Sequence, residues 1–259
     1  IAKTYRAVAG ETDAFEAKDE ANVRLTLMAM LEGWVRAGNQ DWTVSKYLNL
    51  AAPVLLKGVI CRSRVWRVGR VEATVRKVTL ATAHALLRAG SVPPQTLYAC
   101  AAELVPLLCS QLDDNEASMR HMAALSISVV FDRLRGAFGP QAVSEMYPML
   151  VKRFDDSNDD VRECCIKAMG TFMSASLPGA VSGTSLDYTL DQLFVHLDDS
   201  NEVIQNACAQ ALLVAAALPG SPGSGTVSTC KELVARKAKD QRGSHRSPAR
   251  CDALLRELQ

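Results

Sequence analysis

Three stretches of the sequence repeat one pattern at nearly constant spacing. They begin at Leu112, Phe154 and Leu197 and read LDDNEASMRHMAALSI, FDDSNDDVRECCIKAM and LDDSNEVIQNACAQAL. The first two starts lie 42 residues apart and the next two lie 43 residues apart. A self-similar period of this length indicates an array of small structural units that bury their apolar faces against one another. The chain is therefore predicted to be a repeat protein.

Each repeat carries an apolar stripe with helical spacing after its acidic start. The apolar or small residues follow the series i, i+3, i+4, i+7, i+8 and i+11, which places them on one face of an α-helix. The stripe members in the three repeats are Met119, Met122, Ala123, Ser126, Ile127 and Val130; Val161, Cys164, Cys165, Ala168, Met169 and Phe172; and Ile204, Ala207, Cys208, Ala211, Leu212 and Ala215. A fourth stripe runs from Val75 to Leu86, and a fifth, weaker unit contains Val23.

The period and the stripes together predict an all-α, right-handed HEAT- or armadillo-like helical solenoid of about five helical pairs, closed by a C-terminal capping segment. The composition agrees, because 48% of the residues are hydrophobic but only 5% are aromatic, as is typical of closely packed helices. We divide the chain into a repeat array at 1–217, a Gly/Pro/Ser-rich connector at 218–225 and a helical capping segment at 226–259.

The acidic pairs are predicted to form the turns between antiparallel helices. Asp and Asn accept hydrogen bonds from backbone N–H groups at helix N-termini, and their charge complements the helix dipole. Arg120 and Arg162, on successive second helices, are placed to bridge to Asp side chains of adjacent turns. We favour this role over a calcium or magnesium site, because no EF-hand-like Gly is present. The predicted turn residues are Asp113, Asp114, Asp155, Asp156, Asp198 and Asp199.

Motifs for catalysis or cofactor binding are missing from the sequence. It contains no CxxC, GxSxG or P-loop, and its four His residues lack the spacing of zinc ligands. Cysteines such as Cys164 and Cys208 lie within helical apolar patterns, where a thiol acts as a small hydrophobe. We therefore predict no enzyme activity and no cofactor. No apolar run is long enough to cross a bilayer, and the start at Ile1 rather than Met suggests that further residues precede it.

Two segments are basic although the net charge is only +1. Residues 57–77 carry seven Lys or Arg against one Glu, with Trp66 among them. Such a patch could hold phosphates and stack a base, but we favour an irregular linker stapled by Trp66, since the array lacks an extended basic face. An acidic protein partner is the intermediate alternative. The basic tail at 231–250 is predicted to cap the array rather than dock on a membrane. Ser247-Pro248 within it is a candidate modification site from a common dipeptide alone.

Four motifs occur in an order that points to one family. They are VWRVGR at 65–70, YPMLVKRFDDSNDDVR at 147–162, LFVHLDDSNEVIQNA at 193–207 and HRSPARCDALL at 245–255. In this order they resemble the C-terminal portion of the HEAT-repeat dynein axonemal assembly factors. The resemblance covers about residues 56–258. It implies a cytoplasmic scaffold for the preassembly of axonemal dynein arms, with dynein chains and other assembly factors or chaperones as partners, and it implies no catalytic residue.

The exposed flank of the second helices is the expected partner surface, because solenoids present long surfaces to their partners. The candidate partner-binding residues are Arg120, Arg162 and Gln205 on those helices, and Arg64, Trp66 and Arg67 in the basic linker. The row on the helices has a purely structural role as its alternative. Two other functions stay open: a nucleic-acid-binding HEAT module that uses residues 57–77, and a generic transport or phosphatase-type HEAT scaffold.

Overall fold

A computed structural model describes residues 70–88, 92–219 and 229–259, together with four isolated helical positions at 26, 29, 30 and 33. The helices are α1 Arg70–Arg88, α2 Pro94–Gln111, α3 Ala117–Arg133, α4 Pro140–Val151, α5 Asp159–Ala175, α6 Gly183–Leu197, α7 Glu202–Ala216, α8 Cys230–Gln241 and α9 Pro248–Glu257. A 3-10 turn, η1 Lys152–Asp155, follows α4. Among these residues the extended pairing is one isolated parallel bridge between Phe138 and Ser176. The predicted all-α class is confirmed.

The chain forms two compact units, residues 1–130 and 131–259. In the first unit, α2 and α3 are the two helices of the first acidic repeat. The buried side chains of α1 include Leu86 and Leu87, and those of α2 include Leu104 and Leu108. Ser126 on α3 lies 3.4 Å from the Nδ1 atom of His84 on α1.

The second unit contains two full helical hairpins, α4/α5 and α6/α7, and the C-terminal pair α8/α9. Helix α7 packs against α5 and α6 on one side, and α8 and α9 also contact it. The close approach of α5 and α7 depends on small residues, because a Cβ atom added at Gly170 would lie 3.6 Å from the Cα of Ala211. Phe131, Phe138 and Phe172 form an aromatic cluster with ring centroids 4.7–5.6 Å apart.

The predicted stripes form the buried faces of the second helices. In α7 every stripe member is buried, and in α5 all are buried except Cys164, which is half-buried. In α3 the half-buried exception is Met122. Helix α1 carries the fourth stripe, and its Thr79, Thr82, Ala83 and Leu86 are buried. The fifth unit around Val23, most of the basic linker and the greater part of the connector lie outside the described residues. The division at 217 and 225 stays a prediction.

The tail forms two short helices. Helix α8 begins at Cys230, and Thr229 caps it by accepting a hydrogen bond from the Glu232 N–H at 3.2 Å. Its inner side buries Val234 and Ala238, while Cys251 and Leu254 are buried on α9. Within the described part of the chain, no helix combines the length and apolar character required to cross a bilayer.

Candidate functional site

The three acidic turns share one hydrogen-bonding geometry. We call them corner 1 (residues 112–116), corner 2 (154–158) and corner 3 (197–201). In each corner the second Asp of the pair accepts a hydrogen bond from the backbone N–H two residues later. The distances from Asp114, Asp156 and Asp199 to these nitrogens are 2.9, 3.0 and 2.8 Å. This local bond is an Asx turn, and it turns the chain into the second helix.

The helices after corners 2 and 3 also have side-chain caps. The side chain of Asn158 accepts from the Val161 N–H at 3.1 Å, and that of Asn201 accepts from the Val203 N–H at 2.9 Å. An N-cap of this kind satisfies a backbone donor that has no partner within the helix. The corners therefore combine two local bonds, one from an Asp and one from an Asn.

The three residues predicted as a partner-binding row bond to their own corners. Arg120 donates to the carbonyl oxygens of Asp114 and Asn115 at 2.8 and 3.1 Å. Gln205 donates to the carbonyl oxygen of Asp199. Arg162 donates through Nε to the carbonyl oxygen of Phe154 at 2.9 Å. Each side chain therefore closes the turn that precedes it.

A second set of contacts connects one helix to the next corner. The Nε atom of Arg76 on α1 lies 3.5 Å from Oδ2 of Asp114, whose side chain is fully buried. In the same register, Arg162 on α5 donates to Oδ2 of Asp199. A third contact at corner 3 comes from Asn201, whose amide donates to Asp159 on α5 at 2.8 Å. These contacts hold corner 3 against the start of α5.

Arg162 and its acidic partners shift one another's pKa in the expected directions. Burial alone would lower the pKa of Arg162, but Asp199 and Asp159 outweigh it and raise that pKa. Burial likewise would raise the pKa of Asp199, whereas the Asn201 N–H and Arg162 bring it below its ordinary value. The hydrogen bond from Asn201, with the Arg162 contact, lowers the pKa of Asp159. All three groups are therefore charged at neutral pH.

His196 is buried beside this ladder. Its Nδ1 lies 3.5 Å from an Arg162 guanidinium nitrogen, and its Nε2 lies 3.5 Å from Asp155. Its ring meets the ring of Phe154 edge to face at 5.9 Å. Burial lowers the pKa of His196, with Arg162 acting in the same direction and Asp155 and Asp199 opposing. The imidazole is therefore neutral at pH 7.

The outer surface of α5 and α7 is a repeated polar stripe. Lys167 and Gln210 are exposed at equivalent positions 43 residues apart, and Glu163 and Asn206 precede them at a second equivalent pair. Residues four apart on a helix share one face. We call this surface the outer stripe. On α7 its corner end contacts the tail, since Arg250 donates to the side chain of Asn206 at 2.9 Å.

The tail contacts the acids of the last hairpin. Lys237 on α8 lies 2.6 Å from Asp191 and 3.6 Å from Asp187, both on α6. The backbone N–H groups of Arg246 and Ser247 donate to the two oxygens of Asp198 at 2.9 and 3.1 Å. The C-terminal pair is thus attached to both helices of the hairpin by polar bonds.

The described side chains do not assemble a reactive centre. Burial raises the pKa of Cys109 and Cys208 to about 12, and burial with nearby acids raises that of Cys164 to about 11. These thiols are protonated at neutral pH and are poor nucleophiles. Among the residues that the structure describes, no three His, Cys, Asp or Glu are grouped to hold a metal ion.

The predicted site residues have separate positions in the structure. Arg120 is buried, Arg162 and Gln205 are half-buried, and Arg64, Trp66 and Arg67 lie outside the described residues. The first Asp of corners 1 and 2 is exposed, whereas Asp114 and Asp156 are buried. The residues that sequence reasoning missed are Asn201, Asp159, His196 and the Asp198 contact with the tail. The recurrence of Asn at 158 and 201 was a usable signal for the caps.

Comparison with known proteins supports the repeat architecture. Residues 146–176, which include the end of α4, corner 2 and all of α5, match the HEAT repeat model. The chain is similar to Dynein axonemal assembly factor 5 of Xenopus laevis, with 24% identity over 93% of this chain and 28% of that protein. The mouse and human proteins of the same name are 23% and 25% identical over 80% and 78% of this chain. This confirms the resemblance seen in the sequence.

The chain spans about a quarter of the length of these relatives, 28% of the Xenopus protein and 23% of the human one. Two solved structures share the fold. A designed armadillo repeat protein, YIII(Dq)4CqI, superposes with a TM-score of 0.60 at 14% identity, covering 99% of each chain. A designed armadillo repeat protein in complex with the peptide (KR)4 has a TM-score of 0.60 at 14% identity, covering 99% of this chain and 98% of that one. The predicted HEAT- or armadillo-like repeat fold is confirmed.

Proposed function

We propose that this chain is part of a non-enzymatic protein-interaction scaffold that acts in the cytoplasm in the preassembly of axonemal dynein arms. The observation that carries the proposal is its similarity to three proteins named Dynein axonemal assembly factor 5, over 78–93% of the chain. The repeat fold is consistent with this role, because stacked helical repeats offer extended surfaces to partners.

The outer stripe is the proposed contact surface for dynein chains or other assembly factors. The charged groups of corners 2 and 3 are largely occupied by bonds within the chain, as the contacts of Arg162 with Asp159 and Asp199 illustrate. The exposed Lys167 and Gln210, in contrast, repeat at one register and leave their faces open to solvent. Arg162 and Gln205 lie at the corner end of the same helices and remain proposed members of this surface.

Three further proposed contacts lie in the first part of the chain. Arg120 begins the same row at corner 1. Arg64, Trp66 and Arg67 form a separate proposed contact in the basic linker, which an acidic segment of a partner would fit. The alternatives with nucleic acid or with a transport or phosphatase-type partner are separated from the main proposal by the identity of what binds.

The test is co-purification from the cytoplasm of ciliated cells with two matched double variants. Lys167→Glu with Gln210→Glu changes the outer stripe, whereas Lys152→Glu with Gln141→Glu makes the same change in net charge at exposed positions of α4 and η1. We expect axonemal dynein chains to be retained by the unmodified chain and by the second variant. The first variant should retain them at least about fivefold less, the size of a loss of roughly 1 kcal/mol.

Recovery of only ribosomal or nuclear-transport proteins by the unmodified chain would reject the dynein proposal. Equal retention of dynein chains by both variants would leave the scaffold role in place and reject the outer stripe as its contact surface. Circular dichroism of each variant provides the control, because substitutions at exposed positions are expected to change stability by no more than about 0.5 kcal/mol.

A further inference from the structure

Asp198 fastens the start of α9 to corner 3. Its two carboxylate oxygens accept from the backbone N–H groups of Arg246 and Ser247. Burial alone would raise the pKa of Asp198, but these two donors, with His245 and Arg246 nearby, lower it. The carboxylate is therefore charged at neutral pH, and hydrogen bonds to a charged acceptor are stronger than those between neutral groups.

A second contact fastens the same turn of α9. Arg250, the third residue of the helix, donates to the side-chain oxygen of Asn206 at 2.9 Å and lies 4.0 Å from a carboxylate oxygen of Glu202. The partner side chains belong to α7 and the Asp198 carboxylate belongs to corner 3. All these bonds therefore lie between the first turn of α9, with the loop before it, and one hairpin.

Ser247 lies at the centre of this attachment and is exposed. It holds the N-cap position of α9, yet its hydroxyl makes no capping bond, and its φ and ψ of −122° and 84° are not helical. The sequence continues Ser247-Pro248-Ala249-Arg250. Proline-directed protein kinases take Pro directly after the acceptor Ser, and many prefer a cation three positions after it. The other Ser-Pro in the chain, Ser221-Pro222, is followed by Gly and Ser and has no such cation.

We propose that Ser247 is a phosphorylation site for a proline-directed protein kinase and that the phosphate releases α9 from the α6/α7 hairpin. In this reaction the γ-phosphoryl group of ATP moves to the hydroxyl oxygen of Ser247. The P–O bond to ADP breaks, a P–O bond to Ser247 forms, and the hydroxyl proton is lost. The proposal goes beyond the scaffold function and does not depend on it.

The release follows from the groups that surround the new charge. A phosphoserine carries about −1.5 to −2 charges at neutral pH. The Asp198 carboxylate accepts from the N–H of Ser247 itself, so the phosphate and this carboxylate repel each other at close range. The phosphate also offers Arg250 a charged acceptor in place of the neutral amide oxygen of Asn206, and charge-assisted bonds to phosphate are the stronger ones. Both attachments are weakened together.

The same attachment should slow the kinase. A kinase binds the acceptor segment in an extended form, whereas residues after Ser247 form the first turn of α9. That turn has to open before phosphorylation, and the Asp198 contacts oppose the opening. Coupling between two processes is reciprocal in free energy. If phosphate weakens the Asp198 contacts, then weakening those contacts by substitution favours phosphorylation.

The experiment treats the purified chain with ATP and a cyclin-dependent kinase, which is proline-directed. Mass spectrometry locates the phosphate, and hydrogen exchange measures the protection of α9. We expect phosphate on Ser247 and exchange of the α9 amides at least about fivefold faster afterwards, the lower end of typical coupling between sites. Ser247→Ala should show neither change. Asp198→Asn should raise the initial rate of phosphorylation of Ser247, while Asp160→Asn, a matched change at an exposed Asp of α5, should not.

Failure of the kinase to modify Ser247 in both the unmodified chain and Asp198→Asn would overturn the assignment of the site. Phosphate on Ser247 with unchanged exchange of α9 would overturn the proposed release. Equal phosphorylation rates in Asp198→Asn and Asp160→Asn would contradict the role of the Asp198 carboxylate. These readouts do not involve binding of dynein chains, so the scaffold proposal is tested separately.

Discussion

The contact between Arg162 and Asp199 should be a principal polar contribution to the stacking of the last two hairpins. The two side chains are each only 14% exposed, so their charges are poorly screened by solvent. Arg162 also donates to the carbonyl oxygen of Phe154. Hydrogen bonds that involve a charged group contribute about 1.5–3 kcal/mol each. The Asp159 contact is more than half exposed and is left out of the magnitude, because exposed pairs contribute little.

Arg162→Met keeps the aliphatic stem and removes the guanidinium. We expect it to lower the free energy of unfolding by about 3 kcal/mol, since two charged hydrogen bonds are lost and the Asp199 carboxylate keeps no cation at that oxygen. Asp199→Asn preserves an oxygen for the Asx turn and removes the charge. The double variant should lose less than the sum of the two single losses, with a coupling energy of about 2 kcal/mol, within the range for residues in one network.

Urea unfolding of the two single variants, the double variant and the unmodified chain gives the coupling energy. The matched control is Lys167 with Glu163, an exposed pair four residues apart on the same helix. Lys167→Met and Glu163→Gln should couple by only about 0.3–0.5 kcal/mol. If the pair of Arg162 and Asp199 couples no more strongly than this control, the ladder contact does not stabilise the stacking of the hairpins, and the reasoning from burial fails.

Three other outcomes follow from the same contacts. Because the pKa of His196 is lowered in the folded chain, the unfolded state binds more protons, so stability should fall as the pH drops from 7.5 through 6.5 to 5.5, by at most about 1.4 kcal/mol per pH unit; thermal melts of His196→Gln should show a shallower fall than the unmodified chain. Ala211→Leu should lower the free energy of unfolding by about 2 kcal/mol through overpacking against Gly170, whereas Gln210→Leu at the exposed neighbouring position should change it by less than about 0.5 kcal/mol in the same urea titration. Lys237→Met should speed hydrogen exchange in α8 by severalfold, as loss of an ion pair of about 0.5–1 kcal/mol implies, and unchanged exchange would mean that the apolar face of α8 alone holds it.

The helices and their buried faces could be predicted because the information for them is local. A stripe such as Val161, Cys165, Ala168, Met169 and Phe172 follows the helical period, and all five side chains are buried. The recurrence of the stripe after each acidic pair then determines the hairpin, since a polar turn between two apolar helical faces allows them to pack together. The period therefore carries most of the fold.

The roles of individual acids could not be predicted in the same way. Asp155 and Asp156 are adjacent and chemically identical, yet Asp156 makes the Asx turn and Asp155 is exposed near His196. The backbone direction at the turn decides which carboxylate points inward, and the residue pattern does not record it. The contact of His196 with Arg162, 34 residues away, likewise depends on how two hairpins stack. The binding role of Arg162 and Gln205 stays a prediction, since their observed bonds are within the chain.

The last hairpin shows how the ladder responds where the acidic corners end. Arg76 and Arg162 each reach an Asp of the following corner, whereas the equivalent residue on α7 is Gln205, which bonds only to its own corner. No Asp-Asp pair follows Asp199 in the sequence, so an Arg at 205 would face no such acid there. In the described tail, the direction of the contact is reversed. Cations and N–H groups of the tail reach back to acids of the last hairpin, so the hairpin is fastened by Lys237 and Asp198 instead of by another arginine ladder.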